Sequence, residues 1–241
     1  MTCIEEQGTL WVFDSTTSDW SMMSPTDPAL PYPEARSYHA LENDGRETLY
    51  LHAGCPTKGR LSDLWSFHIP SNRWTELSSA PEPARGGTSI AFATGQLYRM
   101  HGFDGKTDQG GNIDTYDVEA RTWTSFSFTP DGSSGPEPRS VSCLLAIDIN
   151  HRPSLIAIFG ERDPSSLGHE GAGKMLGDIW VFDIRSRSWT EAQPGPSGEP
   201  AARGWFDADV VRGSIKEDIV LHGGLNGFNE RLGDAWLLEI K

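Results

Sequence analysis

Four segments of the chain superimpose on one another: "LWVFDSTTSDW" (10–20), "LWSFHIPSNRW" (64–74), "IDTYDVEARTW" (113–123) and "IWVFDIRSRSW" (179–189). In each, an apolar run too short for a helix is followed by a polar turn, and a tryptophan falls six residues beyond the end of the run. Aromatic and β-branched residues in such runs predict a strand, the turn predicts a hairpin, and the tryptophan lies on the returning strand. A fifth partial copy, "AWLLEI" (235–240), lies close to the end of the sequence. Self-similarity at this spacing limits the fold to an array of repeated sheets.

Upstream of four of these units a further strand is expected to end in a glycine: "HAG" at Gly54, "HGF" at Gly102, "IFG" at Gly160 and "HGG" at Gly224. Glycine there marks a sharp turn or a close backbone approach. Before that stands Pro-x-Ala-Arg or a near copy, ending at Arg36, Arg85, Arg139 and Arg203. Each unit is therefore four strands with no helix required, and sheets of this kind read as blades of a β-propeller.

The glycine pair, the aromatic strand and the tryptophan six residues on resemble kelch repeats, and the resemblance covers nearly the whole chain. It implies an all-β, kelch-type β-propeller of four-stranded blades in a single domain, 1–241. The pieces are a blade fragment at 8–24, blades at 35–78, 84–128 and 138–193, and an incomplete last blade at 202–241. Strands count to two, then three sets of four, then three. The count leads to the expectation of part of a six-bladed ring with the N-terminal blade and a half missing. An open or five-bladed ring is the alternative. Asp114 stands in one copy where the others have an aromatic residue. The motif is specific for the fold and nearly silent on function.

Strand alternation puts the linker before each first strand on the same face as the loop after each glycine. Arg36, Arg85, Arg139 and Arg203 are thereby expected around the channel mouth, where they would attract an anionic small molecule or an acidic segment of a partner protein. Repeated arginines can equally hydrogen-bond carbonyls and carboxylates of neighbouring blades, and both roles are open at this point.

One loop differs from the others. Nine or ten residues separate glycine from third strand elsewhere, but eighteen separate Gly160 from Asp178, across "ERDPSSLGHEGAGK". Long loops in compact repeats carry function or lack fixed structure. This loop resembles that of the plant specifier proteins (nitrile-, epithio- and thiocyanate-forming), a kelch subgroup. The resemblance implies iron(II) held in a Glu-x-x-x-Asp-x-x-x-His pattern and redirection of an unstable glucosinolate aglycone. Glu161 and His169 match the outer positions. The middle one is Ser165, a poor ligand for iron(II); Asp163 or Glu170 could substitute sterically, though nothing in the spacing requires it. The other reading is structural: Glu161 and Asp163 bond turn amides while Gly168, Gly171 and Gly173 let the loop fold back.

Other candidates have mainly structural readings. His52, His101 and His222 recur once per blade beside the glycine pairs, which suits a repeat role better than a metal cluster. Trp205 and Asp207 in "GWFDAD" face the channel or pack between blades, with packing favoured. The three cysteines, Cys3, Cys55 and Cys143, are scattered, which argues for free thiols in a reducing compartment and a cytoplasmic location. A net charge of −14 repels nucleic acid and anionic lipid, no apolar run is long enough to span a bilayer, and neither is expected as a partner. The two functional expectations are a binding propeller and, alternatively, an iron(II)-dependent, specifier-like enzyme or a tailoring protein of small-molecule metabolism.

Overall fold

The computed structural model describes residues 8–193, 195–196, 198–213 and 216–240, together with the backbone but not the side chain of His169. Among these residues there are seventeen strands in five antiparallel sheets. A hairpin comes first, β1 (Leu10–Asp14) and β2 (Asp19–Met23). Blade 1 comprises β3 (Ala40–Asn43), β4 (Thr48–Gly54), β5 (Leu61–His68) and β6 (Arg73–Leu77). Blade 2 comprises β7 (Ser89–Ala93), β8 (Gln96–Met100), β9 (Asn112–Asp117) and β10 (Thr122–Ser127). Blade 3 comprises β11 (Cys143–Ile149), β12 (Arg152–Arg162), β13 (Lys174–Asp183) and β14 (Ser188–Glu191). The last sheet has β15 (Asp207–Arg212), β16 (Glu217–His222) and β17 (Ala235–Glu239). Every strand pairs with its sequence neighbour, and the first strands β3, β7, β11 and β15 adjoin one another along the channel.

Among the described residues the core is divided into four clusters, each between successive sheets. Side chains alternate along a strand, so each sheet has a backward and a forward face. In blade 1, Trp65, Phe67 and Trp74 face back onto Leu10 and Met23 of the hairpin, while Tyr50 and Leu64 face forward onto Tyr116 and Leu97 of blade 2. Trp180 and Phe182 of blade 3 pack against Met100 and Ile113, and Ile156 and Ile158 pack against Ile219 and Leu221 of the last sheet. Each repeat therefore seals its neighbour's face and cannot bury its own.

The recurring glycines have a common geometry. Gly54, Gly102, Gly160 and Gly224 have φ of 110°, 106°, 119° and 109°. A Cβ on Gly54 would lie 2.7 Å from the Ser37 carbonyl oxygen, and one on Gly160 would lie 2.9 Å from that of Ser140. A side chain is excluded there by conformation and by space. Their amides tie sheets together: Gly54 donates to the Arg85 carbonyl, Gly102 to that of Arg139 and Gly160 to that of Arg203. A second series runs around the mouth, Gly87 donating to Tyr38, Val141 to Gly87 and Trp205 to Val141.

The arginines of the Pro-x-Ala-Arg motif are part of this framework. They are 2%, 7%, 0% and 0% exposed for Arg36, Arg85, Arg139 and Arg203, so the expectation that they ring the channel mouth is corrected. Each Nε donates to the carbonyl two residues earlier, and each Nη1 donates to the carbonyl just before the repeat glycine, at 2.8–3.1 Å. Three of them also grip an aspartate with both Nη atoms: Arg36 to Asp63, Arg139 to Asp178 and Arg203 to Asp234. The same aspartate accepts the indole N–H of the tryptophan two residues on, at 2.6–2.8 Å. A buried guanidinium must be paired in this way, and in Arg36, Arg139 and Arg203 the aspartate engages both Nη atoms.

Blade 2 is wired differently. Asn112 and Asp114 stand where the other sheets have aspartate and tryptophan. Asp114 instead accepts from Ser125 and pairs with buried Arg99 at 3.3 Å, and Arg85 keeps only its two carbonyl bonds. Burial first, then the charge of Arg85, pulls Arg99 down to about 9.

Candidate functional site

At the channel mouth lies an open cavity of about 1520 Å³, walled by blades 1, 2 and 3 and the last sheet. Its rim is built from one repeated contact. The residue after each motif arginine bridges the residue after each repeat glycine: Ser37 with Cys55, Gly86 with Phe103, Ser140 with Glu161 and Gly204 with Leu225. One position further, Tyr38, Gly87, Val141 and Trp205 all take left-handed backbone conformations, φ 46–62°. That conformation turns these residues toward the mouth, where Tyr38 and Trp205 meet edge to face with centroids 5.3 Å apart. Trp205 is thus half-buried on the cavity wall and Asp207 is exposed, against the expectation that they pack between blades.

The basic side chains of the cavity come from the loops after the repeat glycines: Arg60, Lys106, Arg162 and Arg231, one from each sheet. Lys106 and Arg231 are exposed and Arg60 is half-buried. Arg162 is neutralised by Glu137 and by Asp163, the latter at 3.0 Å. These residues were missed because they fall at unequal distances from the glycine, so a strict repeat alignment does not superimpose them. The signal present is at least one cation in each loop, in "CPTKGR", "FDGKTD", "ERD" and "LNGFNER".

Facing them are carboxylates. Glu161 is 5% exposed; its oxygens accept from the Gly173 amide at 2.6 Å and the Trp205 indole at 3.2 Å, which folds the long loop back on blade 3. Asp108 of blade 2 accepts the Asp163 amide at 3.0 Å, tying the loop to the neighbouring blade. Burial pushes the Asp108 carboxyl up, and the nearby charges of Glu161 and Asp163 add to the shift.

Of the residues expected to hold iron(II), Glu161 is occupied by these two donors, Asp163 is exposed and paired with Arg162, and the side chain of His169 lies outside the described residues. Ser165 Oγ accepts the Leu167 amide at 3.2 Å, as a loop residue does. Among the described residues no three His, Cys, Asp or Glu side chains converge as a metal ion requires. His52 and His101 are fully buried in different blades, bonded to the Asp63 carbonyl at 2.7 Å and to the Ser142 hydroxyl at 3.1 Å, while His222 is exposed. They form no cluster. Cys55 and Cys143 are free thiols, and Cys3 lies outside the described residues. No helix among the described residues is long and apolar enough to cross a membrane.

Comparison with known proteins follows the fold. The profile of the KLHDC2/KLHL20/DRC7 kelch-repeats domain matches residues 5–224. N-(sulfonatooxy)prop-2-enimidothioate sulfolyase of Thlaspi arvense is 24% identical over 254 residues, covering 95% of this chain and 69% of that protein. Kelch domain-containing protein 10 of Homo sapiens is 26% identical over 243 residues, covering 96% of this chain and 50% of that protein. Tip elongation aberrant protein 3 of Schizosaccharomyces pombe is 24% identical and is matched over 20% of its length. The chain spans about half or less of the latter two relatives.

Proposed function

The chain belongs to the kelch-repeat family, and from that premise we propose that it is a binding module whose channel-mouth cavity takes an anionic small molecule. The observation that carries this reading is the convergence of Arg60, Lys106 and Arg231, from three sheets, on one cavity in a protein of net charge −14, while Arg162 beside them is neutralised by Glu137 and Asp163. Cations clustered within an acidic molecule focus the field for an anion and select its position. Tyr38 and Trp205 supply a flat apolar wall for the rest of the ligand. The Thlaspi relative is named for a sulfonatooxy substrate, which is the class of anion such a cavity suits.

Calorimetric titration of an aryl sulfate tests the reading. Charge-assisted hydrogen bonds contribute about 1.5–3 kcal/mol each, so Lys106→Ala and Arg231→Ala are each expected to weaken binding about tenfold or more. Unchanged affinity in the double variant would refute it. An acidic peptide titrated in parallel, tighter than the sulfate and with the same dependence on both residues, would assign the cavity to a partner protein.

A second reading, a lyase-type catalyst, is favoured by Glu161 and Asp108 on the same wall. With its carboxyl pushed up by burial, Asp108 is the group suited to deliver a proton to a leaving anion. Release of sulfate from sulfated thiohydroximates, abolished in Asp108→Asn with aryl sulfate affinity retained, is the expected result for this reading.

A further inference from the structure

Blade 2 lacks the aspartate that three other sheets supply to their motif arginine. Asn112 follows Arg85 by 27 residues, as Asp63 follows Arg36, and so stands at the gripping position. An amide carries no charge, and this one accepts the Ser127 hydroxyl at 2.7 Å. Arg85 is nevertheless buried like its counterparts, 7% exposed. Its bonds to the carbonyls of Pro83 and His101 use two of the five guanidinium donors. In Arg36, Arg139 and Arg203 both Nη atoms hold a carboxylate. Among the described residues no carboxylate lies within ion-pair distance of Arg85, and its Nη2 has no hydrogen-bond partner.

The charge around Arg85 does not balance. The Pro83 carbonyl accepts from Arg85 Nε at 3.1 Å and from Arg99 Nη2 at 3.0 Å, so two guanidiniums lie side by side. Arg99 is 0% exposed, and its Nε has no hydrogen-bond partner among the described residues. Against these two cations stands one buried carboxylate among the described residues, Asp114, and it is paired with Arg99 at 3.3 Å. Asp104 and Glu82 act on Arg85 only from a distance, and each is engaged with backbone amides of its own turn. One positive charge is therefore held in a buried setting without an ion-pair partner, which is costly unless an anion neutralises it. We propose that Arg85 binds a small monovalent anion, a carboxylate or chloride, in place of the aspartate that blade 2 lacks. The free Nη edge matches a carboxylate, and the three aspartate grips of this chain show how it is held. Arg85 does not line the mouth cavity, so this site is distinct from the one described above.

Melting temperatures in formate, chloride and gluconate, at matched ionic strength and pH, read the site, gluconate being too large to enter it. At about 100 mM, an anion with Kd on the order of 10 mM raises Tm by about 3–6 °C for a chain of this length. A gain in formate alone assigns a carboxylate, a gain in chloride as well assigns small monovalent anions in general, and either supports the site. Asn112→Asp supplies the carboxylate from the chain itself. It is expected to melt above the wild type in gluconate and to gain almost nothing from formate or chloride. Arg85→Met, which removes the guanidinium, is expected to lose the gain too, whereas Lys106→Ala/Arg231→Ala, altered only at the mouth, keeps it. A wild type that melts alike in the three salts would overturn the proposal. So would an Asn112→Asp or Arg85→Met protein that gains as the wild type does, or an Asn112→Asp protein that melts below the wild type in gluconate. Loss of the gain in the mouth variant places the anion in the cavity and equally overturns the assignment to Arg85.

Discussion

Replacing Arg139 by methionine separates an arginine that builds the blade from one that binds a ligand. Methionine roughly preserves the length and apolar volume of the side chain but removes the charge and five donors. The wild-type guanidinium reaches Asp178 at 2.6 and 2.7 Å and the carbonyls of Phe159 and Glu137 at 3.0 Å. Without it, Asp178 keeps only the Trp180 indole among its side-chain donors. Deleting one partner of a buried ion pair costs about 3–5 kcal/mol. The Asp178 side chain is 20% exposed, which admits water and places the cost at the lower end, about 3 kcal/mol. For a chain of this length that lowers Tm by about 6–12 °C. Burial acts to raise Asp178, and the hydrogen bonds and charge of Arg139 more than reverse it, holding the carboxyl below the usual range. A depressed carboxyl adds stability above its unfolded pKa, near 3.9, and loses it as the pH falls toward the folded value. In the variant, burial, the largest influence on this carboxyl, is opposed only by the Trp180 indole and a backbone bond; the sign inverts, so the variant recovers as the carboxyl is protonated. The gap in Tm measured by circular dichroism should therefore narrow from pH 7 to pH 4, while aryl sulfate affinity of the folded variant at pH 7 is unchanged. A melt within 2 °C of the wild type at pH 7 together with lost affinity would refute the reasoning and return Arg139 to the channel.

Two further outcomes follow from the framework. His52 and His101 are held neutral well below their ordinary pKa, by burial first and then by the charges of Arg99 and Arg139 respectively. A histidine depressed in the fold takes up its proton only on unfolding, so each costs about 1.4 kcal/mol of stability per pH unit below about 6.5. Urea midpoints at pH 7.5, 6.5 and 5.5 should fall accordingly, and His101→Gln should flatten the slope. Gly160→Ala, at φ 119° and with its Cβ directed at the Ser140 carbonyl, should cost about 1–3 kcal/mol. Gly227→Ala, with open space around its Cβ, should change stability by less than about 0.5 kcal/mol, and equal effects in the two would refute the steric account.

Strands, their order, the seventeen-strand count and the repeat glycines were legible in the amino-acid sequence because they rest on local rules. Apolar runs alternate with period two, turns need their own residues, and a left-handed φ without room for Cβ admits only glycine. The shared face of linker and long loop was legible too, since strand direction alternates. Where side chains point was not. Whether Arg139 faces the channel or the blade interior depends on Asp178, 39 residues away, and for Arg36 on Asp63, 27 residues away. Likewise the convergence of Arg60, Lys106 and Arg231 depends on how sheets curve around a common channel, and no spacing along the chain encodes that. Backbone form is decided within a few residues, whereas a buried charge goes wherever the assembled sheets bring a partner.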